Sequence, residues 1–425
     1  MSKDDKPTKL EPRLRFPEFR GNDAWSAGQL SDLCDINPKH GELPEQFVYI
    51  DLESVTQGEL HQRNTIERDD APSRAQRLLE PDDVLFQLVR PYQRNNLRFR
   101  EKDGAYIAST GYAQLRARVN PVFLYQLVHT DSFVDDVLAH CTGSSYPAIT
   151  SSDLGAIAVA SPPDPAEQRK IADCLGSLDD WIAAETEALA AFRRHKTGLM
   201  QQLFPRPGET RPRLRFPEFQ DADEWKSGRC RDIATVLQGY GFPEKYQGQS
   251  VGDYPFYKVS DISLAVKMGR RYIAEAKNYI DDDILKDLRA KPVPAGTVIF
   301  AKIGEAIRSD RRVVTTKPAV IDNNTAGVKA RKGKSSDGFL FYLWSNVSLI
   351  DHAGGVVPAV SKSSLENVPL TYPTVKAEQD LIADCLASLD TMIAAQAEKL
   401  GGLRTHKRGL MQQLFPVADG IEGGG

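Results

Sequence analysis

AEQRKIADCLGSLDDWIAAETEALAAFRRHKTGLMQQLFP at 166–205 returns as AEQDLIADCLASLDTMIAAQAEKLGGLRTHKRGLMQQLFP at 377–416, identical at 27 of 40 positions with an offset of 211. In the first copy Ile171, Leu175, Leu178, Ile182, Leu189, Phe192, Leu199 and Leu203 follow one another at steps of three, four or seven, the apolar seam of a heptad helix. Ile382, Leu386, Leu389, Ile393, Leu400, Leu403, Leu410 and Leu414 repeat that seam in the second. Polar residues interrupt it at Glu185 and Lys196, and again at Gln396 and Lys407. Pro165 marks a first turn, Glu167 and Glu378 sit where the helix dipole favours negative charge, and Pro205 and Pro416 stop the pattern. The spacing predicts two helices of about 38 residues, each about 57 Å long. A helix of that length with one apolar seam needs a partner. Its twin in the same chain is the expected one, in an antiparallel coiled coil whose polar seam residues set the register. Packing on a neighbouring domain or on a second chain is the alternative.

The repetition extends upstream. RLRFPEF stands at 13–19 and again at 213–219, followed at matching places by Trp25 and Gly28, and by Trp225 and Gly228. Pro147-Ala148-Ile149-Thr150 faces Pro358-Ala359-Val360-Ser361. Between these blocks, 29–145 and 229–356 share only hydrophobic signposts such as DDVLF at 82–86 and GTVIF at 296–300. A fold requirement acts on both copies alike, so a shared frame around divergent fillings points to one kind of task performed on two targets. Short β-type runs (FVYIDL at 47–52, DVLFQLV at 83–89, AYIAST at 105–110, then TVIFAKIG, RRVVTT and AVIDNN) interleave with helical patterns such as 121–140. The expected class is α+β: two mixed α/β domains at 12–164 and 206–375, long helices at 165–205 and 376–416, a pseudo-twofold internal repeat, and a flexible tail at 417–425.

Composition sets outer limits. The 425 residues are 41% hydrophobic and 26% charged, an ordinary globular balance that excludes a fibrous or wholly disordered chain. No apolar run is long enough to span a bilayer, and MSKDDKPTKLEPR lacks the apolar stretch of a signal peptide, so no membrane association and a cytoplasmic location are expected. The cysteines Cys34, Cys141, Cys174, Cys230 and Cys385 form no CxxC pair, which indicates neither a disulfide framework nor a zinc site. Fifty-four Lys and Arg against 58 Asp and Glu give a net charge of −4, which taken alone argues against a polyanionic partner.

Local charge says otherwise. Residues 86–118 carry seven Arg or Lys against two acids, and 286–334 carry twelve against four. Both runs follow the equivalent strands DVLF and TVIF. PYQRNNLRFR at 91–100 mixes Arg with Gln, Asn and Tyr, side chains that reach both phosphates and base edges. KIGEAIRSDRR at 302–312 and IDNN at 321–324 offer the same chemistry. The candidate DNA-contacting residues are therefore Arg90, Gln93, Arg94, Asn95, Asn96 and Arg98 with the loop residues Ser145 and Tyr146 in the first domain, and Lys302, Arg308, Arg311, Arg312, Asn323 and Asn324 in the second. A solvated basic loop is the plain alternative for either run alone; recurrence at equivalent places weakens it.

Catalytic signatures are lacking. Gly333-Lys334-Ser335 resembles the end of a phosphate loop, but position 328 is Val where that motif needs Gly. Ser161-Pro162-Pro163-Asp164 matches an amino-methyltransferase tetrapeptide only in its prolines, and reads better as a strand exit before a helix. Glu224-Trp225-Lys226 is Ala24-Trp25-Ser26 in the other copy, and the matched His195 and His406 lie beside Lys on the long helices. No cofactor, metal or catalytic residue is assigned.

The order RLRFPEF with a following Trp, a divergent domain, the Pro-Ala-Ile-Thr or Pro-Ala-Val-Ser stretch, then AEQ and a long helix ending GLMQQLFP resembles the specificity subunit of type I restriction-modification systems over residues 12–416. The resemblance implies two target recognition domains, each reading half of a bipartite site in double-stranded DNA, with the helices as spacer. It also implies a subunit without activity of its own that holds two methyltransferase subunits and, through them, the restriction subunits. Deleting one heptad, such as 179–185, is then expected to shorten the unread gap or abolish binding. The end of the second helix is expected beside the first RLRFPEF, so that a permutant joining 416 to 12 folds. Alternatives are a subunit whose partner fuses methylation with cleavage, a coiled-coil scaffold that binds no DNA, and a self-sufficient methyltransferase, which the missing motifs disfavour.

Overall fold

The structure is a computed structural model and describes residues 10–416; the expected tail at 417–425 lies outside the described residues. Two compact units divide the chain, one made of residues up to 185 together with those from 400 onward, the other of residues 186–399. Both divisions fall inside the long helices α1 (Pro165–Leu203) and α2 (Lys376–Leu414), each 39 residues long. Each unit therefore owns the first half of one long helix and the second half of the other.

Both units are mixed helix and sheet, and the divergent fillings share the strand order of their central antiparallel sheet. In the first unit an antiparallel sheet runs Cys34–Ile36, Tyr112–Ala117, Val84–Gln87, Leu97–Arg98, and a second sheet pairs Gln46–Ile50 in parallel with Tyr106–Ser109. In the second unit the corresponding order is Ala234–Gln238, Thr325–Ala330, Val298–Ala301, Arg312–Thr315, with Tyr254–Tyr257 parallel to Val320–Ile321. The strands expected from DVLF, AYIAST, TVIF, RRVVTT and AVIDNN all form, because their apolar residues are buried on both faces between helices and a second sheet layer. The helical pattern over 121–140 breaks into Pro121–Leu127 and Asp131–Ala139. Thr130 causes the break: its hydroxyl accepts from Phe133 N and caps the second helix, a bond unavailable to a Thr inside a continuous helix.

Every element of the repeated frame has a packing reason. Arg15 of RLRFPEF donates to both carboxylate oxygens of Glu167 at 2.8 and 2.7 Å, and its remaining donors reach the carbonyls of Asn22 and Asp23. Trp25 Nε1 adds a third bond to Glu167. The second unit repeats this clasp with Arg215 on Glu378 at 2.7 and 2.9 Å and Trp225 Nε1 at 3.0 Å. Both glutamates are 1% exposed, so the acid of AEQ is a buried counter-ion fully supplied with donors, beyond the dipole role its position suggests. The adjacent Gln168 and Gln379 donate to the carbonyls of Pro162 and Pro373, fixing the strand exit to the helix start.

The helix ends are equally defined. Phe415 packs edge-on against Trp25, and Phe204 does so against Trp225, at 5.9 Å in both units. Leu14 N donates to Gln413 O at 2.9 Å, so the end of α2 lies beside the first RLRFPEF as its repeat order demands; Leu214 N donates to Gln202 O in the second unit. Lys407, a polar interruption of the seam, donates to Asp179 at 2.6 Å, and Lys196 donates to Asp390 at 2.5 Å. The shared offset of 211 carries Asp179 onto Asp390 and Lys196 onto Lys407, so each unit holds the same ion pair with the helices' roles exchanged. Each aspartate also anchors its own domain, accepting from Gln126 in one unit and from the Tyr342 hydroxyl in the other.

Candidate nucleic-acid interface

In each unit the strand DVLF or TVIF runs out into the basic loop, and the Pro-Ala stretch stitches that loop to a second one. Val89 bridges Ala148 and Arg90 N donates to Pro147 O at 2.7 Å; in the second unit Ile303 bridges Ala359 and Gly304 N donates to Pro358 O at 2.8 Å. The other edge of the stretch closes a turn, Thr142 with Ala148 and Gly354 with Ala359. Gly143 and Gly355 adopt φ +89° at the heads of these turns, a conformation that side chains other than Gly seldom accept. Thr150 and Ser361 then cap the following short helices by accepting from Asp153 N and Ser364 N, while Ile149 and Val360 are buried beneath. Two loops remote in sequence are thus brought together in each unit by one four-residue element.

The candidate residues divide sharply by environment. In the first unit Gln93, Ser145 and Tyr146 are exposed, and Arg90 lies with its guanidinium over the Tyr146 ring, 4.2 Å from the centroid. Arg94 is bound inward, to Asp131 at 2.7 Å and to the His129 carbonyl. Asn95 accepts from Gln57 N. Arg98 is half-buried on a strand, where desolvation works against its charge. Asn96 is a correction: it is 1% exposed and accepts from Gln87 N at 2.8 Å, so it holds the loop and does not face a ligand.

In the second unit Arg311, Asn323 and Asn324 are exposed, and exposed Arg308 pairs with Glu305. Lys302 is half-buried, reaches Gln238 at 3.3 Å, and has its pKa lowered by that burial. Arg312 is the second correction: it is 8% exposed and its donors go to Asp310 and to the Val347 carbonyl. Tyr92 of the first basic loop is exposed as well, and two surface residues carried no signal in the sequence, Val356 and Val357 on the second unit's turn. Apolar residues at a turn carry no local signal for binding, and only their exposure singles them out.

Among the described residues no cluster of His, Cys, Asp or Glu could hold a metal ion, and no helix is long and apolar enough to cross a membrane. What the surface offers is a pair of polar loops on a rigid sheet, with cations and amides facing outward, an arrangement suited to recognition.

Residues 222–403 match the family model of the type I restriction modification DNA specificity domain. The second half of the chain thus resembles a type I DNA specificity domain. The shared frame, with the clasp, the Pro-Ala stitch and the long helix, carries the likeness into the first half. Curated relatives include the putative type I restriction enzyme MjaX specificity subunit and the type I restriction enzyme MjaIX specificity subunit, both of Methanocaldococcus jannaschii. They are 23% identical over 257 and 263 residues, 59% of this chain in each case and 56% and 58% of theirs. The chain thus aligns with little more than half the length of the curated relatives it matches. Among solved structures, the S subunit of a type I restriction-modification system from M. genitalium superposes with a TM-score of 0.60 at 13% identity, over 96% of this chain and 99% of that one. A chain from a structure described as the basis of complex assembly and conformational transition of the type I R-M system gives 0.55 at 22%, over 96% and 99%. At these identities the two structures speak for the specificity-family fold alone.

Proposed function

We propose that this chain is the DNA-recognition subunit of a type I restriction-modification complex. Each unit reads one half of an asymmetric bipartite site in double-stranded DNA, and the two long helices form an antiparallel coiled coil that sets the unread gap. The chain performs no chemistry; it docks two methyltransferase subunits and, through them, the restriction subunits, in the cytoplasm. Target recognition domains at 12–164 and 206–375 supply the reading surfaces.

One observation carries the reading. The same two-loop surface occurs in both units on the same backbone stitch, yet its side chains differ throughout: half-buried Arg90 with exposed Gln93, Ser145 and Tyr146 in one, exposed Arg308, Arg311, Asn323, Asn324 and Val357 in the other. A scaffold for two identical partners has no use for that divergence, whereas a reader of two different half-sites requires it. The reciprocal pairs Asp179–Lys407 and Asp390–Lys196 support the antiparallel ruler, since partners on α1 rise in number as those on α2 fall.

The test is to express the chain with its neighbouring modification subunits in a host lacking adenine methylation at such sites, and to map methylated adenines across the genome. A bipartite asymmetric motif with a fixed gap, present only when this chain is present, is expected. Methylation that is absent, or of unchanged sequence when this chain is replaced by another specificity subunit, would overturn the assignment.

A further inference from the structure

Within the basic run of the first unit, the arginines are tied down one after another. Arg94 pairs with Asp131, Arg100 with Asp180, Arg116 with Asp83 and Glu80, and Arg118 with Asp35. Arg98 sits half-buried on its strand. Arg90 differs. Its side-chain contact is the face of the Tyr146 ring at 4.2 Å, and a cation over a ring uses the face of the guanidinium and takes none of its N–H donors. Its main chain is fixed on both sides, by the bond from its N to Pro147 O and by a left-handed conformation at φ +56°.

The loop around it is equally rigid. Arg94 is also left-handed, at φ +52°, and brackets the turn Pro91–Gln93. Gln93 accepts from Gln87 Nε2 at 2.9 Å, Asn95 from Gln57 N, and Asn96 from Gln87 N. Two strained non-glycine residues at one short turn are maintained only where the surroundings over-determine them, and such strain gathers at functional positions. The neighbouring amides thus brace the loop through their oxygens, and the fork of Arg90 is a pre-positioned donor on that rigid loop.

Resting on the DNA-recognition reading above, we infer that Arg90, braced by Tyr146, is a specificity-determining residue that reads a guanine in the half-site of the first unit. A planar fork whose two terminal donors lie side by side matches the paired acceptors O6 and N7 that guanine alone presents in the major groove. Adenine replaces one of those acceptors with a donor. The second unit has Gly304 and Val357 at the equivalent places, so this reader belongs to one half-site only. Tyr146 is a positioning residue: its ring holds one face of the guanidinium and leaves the N–H fork free to donate.

The full-length chain, with its modification subunits, is used to select duplexes from a pool randomised over the length of the site. Wild type is expected to return a bipartite motif with an invariant guanine in one half. Arg90→Gln and Arg90→Lys should each lower the preference for that guanine by about tenfold to a hundredfold while leaving the other half-site unchanged, which is the internal control for folding. Tyr146→Ala should relax the same position partially, and Tyr146→Phe, which keeps the ring, should restore it. If wild type returns a motif and Arg90→Gln preserves every base preference, with a salt dependence shallower by about one counterion, Arg90 is a phosphate contact and the inference fails while the DNA reading stands. If wild type returns no motif, both fall.

Discussion

Replacing Glu378 by Gln tests whether the clasp at the start of α2 is a structural keystone of the second unit. In the native arrangement Glu378 is 1% exposed and Arg215 7%, with two charge-assisted bonds between them and a third from Trp225. Breaking a buried pair by neutralising one partner costs about 3–5 kcal/mol, because the other charge is left in a medium that solvates it poorly. Two features soften the loss. The carbonyls of Ala222 and Asp223 keep two of the Arg215 donors at 2.7 and 2.9 Å, and the Gln oxygen can still accept from Trp225. The lower end of the range applies, about 3 kcal/mol. For a body of about 200 residues that lowers Tm by about 6–12 °C. Arg215→Met combined with Glu378→Leu removes both charges and leaves Trp225 Nε1 without its acceptor, so it should lie only about 1 kcal/mol below wild type. Differential scanning calorimetry of wild type, the singles Arg215→Met and Glu378→Leu and their double, at one concentration, supplies the cycle, with Glu378→Gln measured beside them. A Glu378→Gln protein that melts within about 2 °C of wild type, or a double variant that falls by the sum of the singles, would refute the assignment of Glu378 as a counter-ion.

Three other outcomes follow from the geometry. Asp179 to Lys196 on α1 and Asp390 to Lys407 on α2 are both 17 residues apart, so deleting 183–189 and 394–400 together preserves both ion pairs; the expected result is a gap about three base pairs shorter in the methylation motif, from about 10 Å of lost rise, whereas deleting 179–185 alone removes Asp179 and should abolish the motif. Lys407→Asp should destabilise the first unit by about 1–3 kcal/mol, and adding Asp179→Lys should recover most of it in urea titrations, because Gln126, whose Oε1 is buried without a partner, can present that oxygen to the new ammonium. His129 is half-buried, and desolvation there pushes its pKa down to about 4, against 6.5 for the exposed residue. The unfolded chain therefore takes up the proton first, and stability should fall as pH drops from about 6.5 to about 4, a fall that His129→Gln should flatten in denaturation measured across that window.

The frame was legible in the sequence as repetition, and its chemistry was not. RLRFPEF, Trp and AEQ stand out because they recur, yet nothing local says that Arg15 meets a carboxylate 152 residues away. The long helices were readable because a heptad seam is a local signal. The candidate interface was half readable. Counting charges over 86–118 found seven cations and two acids, but Asp35, Asp83, Glu80, Asp131 and Asp180, which occupy four of those arginines, lie outside that window. The local field at the loop is consequently weaker than the count suggests, with Arg90, Arg98 and Lys102 the cations of that run outside the acid pairs. Asn96 and Arg312 were misplaced for the same reason: their polarity reads as exposure, while the strand-end geometry that buries them depends on Gln87 in one unit and Val347 in the other.

The Pro-Ala stitch has a consequence for how such chains acquire new targets. The loop at 90–95 and the turn at 142–146 are separated by about fifty residues of gene yet joined by hydrogen bonds to the same four residues. A crossover falling between them would combine half of one reading surface with half of another, and the stitch would hold together a pair that was never matched. Crossovers inside RLRFPEF and inside the AEQ helix transfer a whole surface, and the incoming domain arrives with its own arginine, tryptophan and glutamate ready to engage. Recombination should therefore leave its breakpoints in the repeated frame, and exchanges engineered there should swap one half-site while keeping the gap.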